Sequence, residues 1–419
     1  MKNNGYDNRR VVVTGLGVVS AIGTGKDAYC QSLQEGRSGI KRISAFDVSS
    51  YSCQIAAEIS GFDPLTFMAA QQARRIDRFA QLGVAAATLA LQDAGIRPGT
   101  NGTRAMGVIL GTSVGTLCYA EQQIALFYEK GVKRINPFFA TSVIPSSAAT
   151  QILLSLGIKG PSHTITTACA SGTCSVGEAF EMIRHGALDV VLAGGAEAPI
   201  TPLVLATLGS IHLLTSENET PATAYRPFAR NAAGFALGEG SGILVLEEAG
   251  HALKRNAKIY GEVVGFGSSC DAYDVMAFDP TFEGPVAAIR HAMTSSGVRP
   301  DEIGYVNLHG IALPEHDRGE VSILKLALGE SACRIPVSVT KPLTGHTLGA
   351  SGAMELVACC LMMEKGFLHP TINLEEPDPQ CDLDFVPNQA RAARVDTMMS
   401  VSFGFGGYNA ACIIRAFAQ

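Results

Sequence analysis

Four apolar runs constrain this chain more than anything else in it. They are Arg10-Val-Val-Val-Thr-Gly-Leu-Gly-Val-Val-Ser20, residues 106–113, residues 189–195 and residues 242–248. A strand with one face in water alternates apolar and polar residues; these runs do not, so both of their faces must be covered. Residues 77–94 carry apolar side chains at helical spacing and stop at Gly95. The second half has the same style. Strands are predicted at 257–267, 303–308, 335–340, 397–403 and 410–415, with helices at 284–297, 318–328 and 349–366. Buried strands alternating with helices predict an α/β fold with a parallel or mixed sheet covered on both sides. The order of elements suggests a gross duplication meeting near residues 255–260, although the two halves show little residue-level similarity.

Composition narrows the function. The chain has 419 residues, 45 of them glycine, and a net charge of −6, which argues against general nucleic-acid binding. Its 11 cysteines form no Cys-x-x-Cys pair, so no metal site is expected from spacing. The odd count and a polar start over residues 1–9 fit free thiols and a cytoplasmic location. No apolar run reaches the ~18 residues needed to span a bilayer.

Cys169 stands out within Thr166-Thr167-Ala168-Cys169-Ala170-Ser171-Gly172, where a β-rich run meets a helical one. A thiol at the first turn of a buried helix feels the positive end of the helix dipole, which favours thiolate. A free cysteine is otherwise usually a small core hydrophobe. Three further segments look unlike ordinary core. Tyr305-Val-Asn-Leu-His309-Gly310 is a strand ending in His-Gly, placed to point into a crevice. Ser338-Val-Thr-Lys341-Pro-Leu-Thr-Gly-His346 leads into small residues and then Glu355, early in a helix. Ser402-Phe403-Gly404-Phe405-Gly406-Gly407-Tyr408-Asn409 is a Gly-rich turn whose backbone N–H groups could approach a substrate oxygen, or simply a hairpin. One Cys and two His at strand ends, without metal spacing, point toward thiol acyl transfer.

With these motifs in order, the chain resembles the elongating β-ketoacyl-[acyl carrier protein] synthases of the thiolase-like condensing-enzyme superfamily, type II polyketide ketosynthases among them. Arg226-Pro-Phe and Gly234-Phe235-Ala-Leu-Gly-Glu-Gly240 extend the match. The resemblance implies a thiolase-like fold, two similar α/β halves (1–258 and 259–419) in a layered α-β-α-β-α sandwich. It also implies a decarboxylative Claisen condensation. Cys169 would carry the acyl group, with its own N–H and that of Phe405 as the oxyanion hole. His309 and His346 would stabilise the enolate from malonyl-acyl carrier protein. Lys341 and Glu355 would organise the site or form a structural ion pair. Phe235 would lie beside the malonyl group and Phe405 at the acyl-pocket gate, core packing being the plainer role for both. No cofactor is implied, because the substrates ride on the carrier's phosphopantetheine.

Val114 and Leu208 fall where relatives line the acyl pocket, a position they could equally hold as core. Arg74 and Arg75 fall where an acidic carrier docks, or on a solvated helix face. Residues 135–141 match a dimer-interface region, so a homodimer, or a heterodimer with a ketosynthase-like chain, is implied. A degradative thiolase would need a second Cys where Phe405 stands, and an initiating synthase an Asn at His346. An unrelated Cys-His hydrolase would not show this ordered motif set. Two departures point to a specialised polyketide or polyene pathway. Ile311-Ala312-Leu313 replaces the usual Thr-x-Thr whose hydroxyls contact the pantetheine arm, and Tyr408 replaces a small Thr.

Overall fold

The computed structural model describes residues 9–97 and 105–418, so most of the polar start lies outside the described residues. Its strands are β1 (Val11–Ser20), β2 (Gly107–Gly111), β3 (Ser162–Ile165), β4 (Val190–Glu197) and β5 (Gly240–Glu248), then β6 (Gly261–Cys270), β7 (Tyr305–Asn307), β8 (Val337–Ser338), β9 (Thr397–Gly404) and β10 (Tyr408–Arg415). The helices that position the site are α1 (Arg78–Asp93), α2 (Ser171–Arg184), α3 (Glu283–Ser296), α4 (Pro314–Leu328) and α5 (Ser351–Lys365).

The spatial order of strands is β8-β7-β9-β10-β6-β1-β5-β4-β2-β3. Numbered within its own half, each set of five reads 3-2-4-5-1. In each, the first two contacts are parallel and the last two antiparallel. The halves join where β1 and β6 pair over only three residue pairs, Val11–Val13 against Gly261–Val263.

The duplication also has a residue-level signature. β1 slips register against β5 between Val13 and Gly15, and β6 slips against β10 between Val263 and Gly265. After each bulge a Gly-x-Gly lies against the outer helix of its half. A Cβ at Gly17 would stand 1.9 Å from the Ala86 carbonyl oxygen, and one at Gly267 would stand 2.1 Å from that of Ala288. Backbone cannot yield as a side-chain tip can. Gly17→Ala and Gly267→Ala are each expected to lower unfolding free energy by about 3 kcal/mol, read from urea melts.

Helices α2 and α5 pack on each other and touch strands of both halves, so they form the middle layer. They meet through small residues near their starts: a Cβ at Gly172 would lie 2.8 Å from the Ala353 nitrogen. Helices α1 and α3 cover the outer faces, completing an α-β-α-β-α arrangement. Several boundaries differ from the sequence expectation, among them the helix expected from Arg318, which starts at Pro314. The strand expected at 335–340 is only Val337–Ser338, because Thr340 already has helical angles and caps the short helix Lys341–Thr344. The strand expected from 257 starts at Gly261. The helix expected from 349 opens with a 3₁₀ turn, Leu348–Ala350. No helix among the described residues is long and apolar enough to cross a membrane.

Candidate active site

Cys169 sits in the tight corner between β3 and α2, with Ala170 as the helix cap, so it precedes the first helical turn rather than lying in it. The preceding Ala168 is held at φ +48°, a left-handed conformation that costs an L-residue about 1–2 kcal/mol. Local bonds hold it there: the Thr167 N–H donates to Ser171 Oγ (2.9 Å), and that hydroxyl donates to the Ala168 carbonyl (2.6 Å). The corner lifts the thiol out of the helix axis. The N–H groups of Phe405 and of Cys169 itself both point at the sulfur. Burial pushes the thiol up to about 12, outweighing Lys341 and the two amides, so the resting group is neutral.

The two histidines arrive from the second half. His309 follows β7; His346 follows the short helix after β8. Reactive atoms of Cys169, His309 and His346 all lie within 4.8 Å of one another, and all three residues are buried. The imidazoles meet edge to face at 5.4 Å, and Phe235 stands edge-on to His346 at 5.1 Å. Burial, with Lys341 nearby, holds both imidazoles well below the usual 6.5, so both are neutral at physiological pH. His346 Nδ1 meets the Ser351 hydroxyl at 3.1 Å, leaving Nε2 for the chamber; His309 Nδ1 has no hydrogen-bond partner in the protein. A Cys-His-His set is also one a zinc ion could use. Here, however, two N–H donors and a lysine surround the same sulfur, a field that suits a developing anion rather than a cation.

Lys341 and Glu355 form a fully buried pair at 2.6 Å, and Lys341 Nζ also donates to the His309 carbonyl at 2.6 Å. The pair therefore grips the His309 backbone. Two acids not singled out by the sequence reading do similar work. Glu320 accepts from the N–H groups of His309 (2.6 Å) and Gly310 (2.8 Å). Glu197, at the end of β4, accepts from Thr112 Oγ1 and from the N–H groups of Ser113, Gly115 and Gly349, tying the strand ends of the first half to the His346 loop. Burial raises each of these carboxyls to about 7. The legible signal was an acid at the end of an otherwise apolar strand.

A chamber of about 380 Å³ opens on Cys169 and both histidines. Val114, Leu208, Phe235 and Phe405 line it as expected, as do Leu117, Val204 and Phe278. Ile311 also lines it, so the wall beside His309 is apolar where a hydroxyl was the expectation for relatives. Arg74 and Arg75 do not line the chamber. Both are exposed, and the Arg75 guanidinium lies 4.7 Å over the Phe138 ring.

Residues 8–252 match the model of the β-ketoacyl synthase N-terminal domain, and residues 260–375 that of the C-terminal domain. The chain belongs to the β-ketoacyl synthase family. The synthase is thus an enzyme of the condensing, or Claisen, class with a thiolase-like fold. It is 42% identical to the 3-oxoacyl-[acyl-carrier-protein] synthase 2 of Synechocystis sp. strain PCC 6803, over 98% of this chain and 99% of that one. Among solved structures it resembles the ishigamide ketosynthase/chain length factor (TM-score 0.91, 35% identity, 98% of this chain and 100% of the other). It also resembles a type II polyketide ketosynthase in complex with its acyl-carrier protein and bound to the hexaketide (TM-score 0.88, 33% identity, 98% and 100%).

Proposed function

We propose that the synthase elongates an acyl chain by two carbons, taking both reactants from an acyl carrier protein. The observation that carries this is the convergence of Cys169, His309 and His346 within 4.8 Å in a largely apolar chamber. In the first half-reaction the Cys169 sulfur attacks the acyl thioester carbonyl. Its proton passes to a neighbouring neutral imidazole, and the carrier thiolate leaves and takes that proton. The oxyanion of the tetrahedral intermediate sits between the N–H groups of Cys169 and Phe405. In the second, a malonyl-carrier thioester places its carbonyl oxygen between the imidazoles of His309 and His346. Their N–H donors stabilise the enolate as the malonyl carboxylate leaves as CO₂. The enolate carbon attacks the acyl carbonyl, the C–S bond to Cys169 breaks, and a 3-oxoacyl carrier thioester leaves. Phe235 packs His346 in place. Lys341 and Glu355 hold the His309 segment without reacting.

The apolar walls, Val114 and Leu208 included, suit a hydrocarbon or polyene chain. Arg74 and Arg75 offer positive charge to an acidic carrier. We place the reaction in the cytoplasm and the boundary between the halves at 258/259. A second reading, that the chain acts only beside a chain-length-factor-like partner, is favoured by Ile311 and Leu313 and by the likeness to the ishigamide pair. Exposed Ile124, Tyr128, Val132 and Phe138 give it a face for a homologous chain, whether identical or not.

One experiment tests both readings. The protein alone is incubated with acyl- and malonyl-carrier thioesters, and masses are followed. An acyl adduct on Cys169 with a two-carbon-longer product is expected. No adduct would sink the reading, and adduct without product until a partner chain is added would establish the heterodimer. Because both imidazoles are neutral well below 6.5, malonyl decarboxylation should not decline as pH falls through about 6.5. A loss centred there would mean that the histidines titrate normally.

A further inference from the structure

His316, the third residue of α4, takes no part in the scheme above, yet it touches two of the segments that shape the chamber. Its Nε2 lies 2.8 Å from the Met276 carbonyl oxygen. Its ring lies 5.3 Å from that of Phe278 and 6.2 Å from that of Phe405. All of these residues, His316 included, line the chamber. Residues 271–278 and the Gly-rich turn are joined elsewhere by two backbone bonds and, at the ends of the junction, by Asn409 Nδ2 donating to Asp271 Oδ1 (2.6 Å) and by Phe278 edge-on to Phe403 (5.5 Å). The Gly406 N–H donates to the Val275 carbonyl (2.7 Å), and the Asp271 N–H donates to that of Gly407 (2.9 Å). Gly406 and Gly407 both have positive φ, and Val275 is 71% exposed, so the tip of the junction, next to Phe405, has little side-chain cover. His316 supplies an anchor from a packed helix.

We propose that His316 is a positioning residue for the acyl-transfer step, clamping residues 271–278 and the Phe405 turn to α4 and so fixing the Phe405 N–H against the Cys169 sulfur. The proposal rests on the reading of Cys169 as acyl acceptor. Loss of the clamp lets the turn drift, which misplaces one oxyanion donor. The enolate donors, on His309 and His346, are held separately by Lys341, Glu320 and Ser351. The two half-reactions should therefore separate.

The test measures Cys169 acylation by mass, after the wild type has been shown to acylate. If it does not, the underlying reading fails before the clamp is examined. His316→Ala is expected to slow acylation about tenfold, less than the 10²–10³-fold seen when an oxyanion donor is deleted outright. His316→Gln, whose amide nitrogen can reach the Met276 carbonyl, should recover to within about threefold of wild type. In a Cys169→Gln background, where only malonyl decarboxylation remains, His316→Ala should change the rate by less than about twofold, because the hydrogen bonds that hold the His309 and His346 segments do not involve His316. Wild-type acylation in His316→Ala, failure of Gln to rescue, or an equal loss of decarboxylation would each overturn the proposal. Should the alanine variant unfold, His316→Gln and His316→Phe carry the test. Faster acylation by Gln than by Phe supports the clamp, and equal rates overturn it.

Discussion

Cys169→Gln is expected to abolish acyl transfer and condensation, by ~10⁴-fold or more, while malonyl decarboxylation rises above the wild-type rate. Cys169 carries the one thiol that lines the chamber among the described residues, so without it no acyl thioester can be held for the enolate. The glutamine amide is planar and carries a carbonyl oxygen at about the reach of an acylated cysteine. That oxygen can sit between the N–H groups of Cys169 and Phe405, which now point at the sulfur. The site then resembles its own acylated form. His309 and His346 keep their geometry and their neutral state, so CO₂ loss proceeds with nothing to capture the enolate. Release of CO₂ and acetyl-carrier product, measured against condensation by mass spectrometry, checks this. Condensation at the wild-type rate would remove Cys169 from the mechanism.

Lys341→Ala is expected to cost about 3–5 kcal/mol of folding stability, because it strands the Glu355 carboxylate in the interior. Both side chains are 1% exposed, so the carboxylate is shielded from bulk solvent. Replacing both partners, Lys341→Met with Glu355→Leu, should recover most of that loss, since an apolar pair of similar volume carries no desolvation penalty. Activity should not recover in parallel. Lys341 Nζ also holds the His309 carbonyl, and its charge helps to keep both imidazoles neutral. A cation nearby lowers imidazole pKa, so its removal raises the value toward 6.5. The acid limb of the decarboxylation profile should therefore move to higher pH in both variants. Thermal melts and pH–rate profiles separate the two effects. A single variant as stable as wild type would show that the pair contributes no net stability.

The covered strands and the nucleophile with its two histidines were legible because each reports directly on local pattern: apolar runs without alternation, and reactive residues at strand ends beside glycine. What escaped the sequence was contributed by distance. Glu197 looks like the end of a strand until residues 112–115 and 349 converge on it. Glu320 lies two residues past the expected start of its helix, with nothing local to mark it as a ligand for the His309 amide. The upward push of burial on the Cys169 thiol was not legible, because the helix dipole is visible in sequence and burial is not. The duplication was invisible to residue matching because its signature is two bulges and four glycines, features of backbone shape rather than of side-chain identity.

The shared middle layer has a consequence for how this protein comes into being. Helix α5, residues Ser351–Lys365, supplies half of the layer that covers the inner face of the N-terminal sheet. During synthesis that face is complete in sequence by Glu248, yet it has to wait for more than a hundred further residues before its cover leaves the ribosome. The nascent N-terminal half is therefore a chaperone substrate by construction. Expressed alone it should collect in inclusion bodies, and catalytic competence should arrive in one late step rather than half by half.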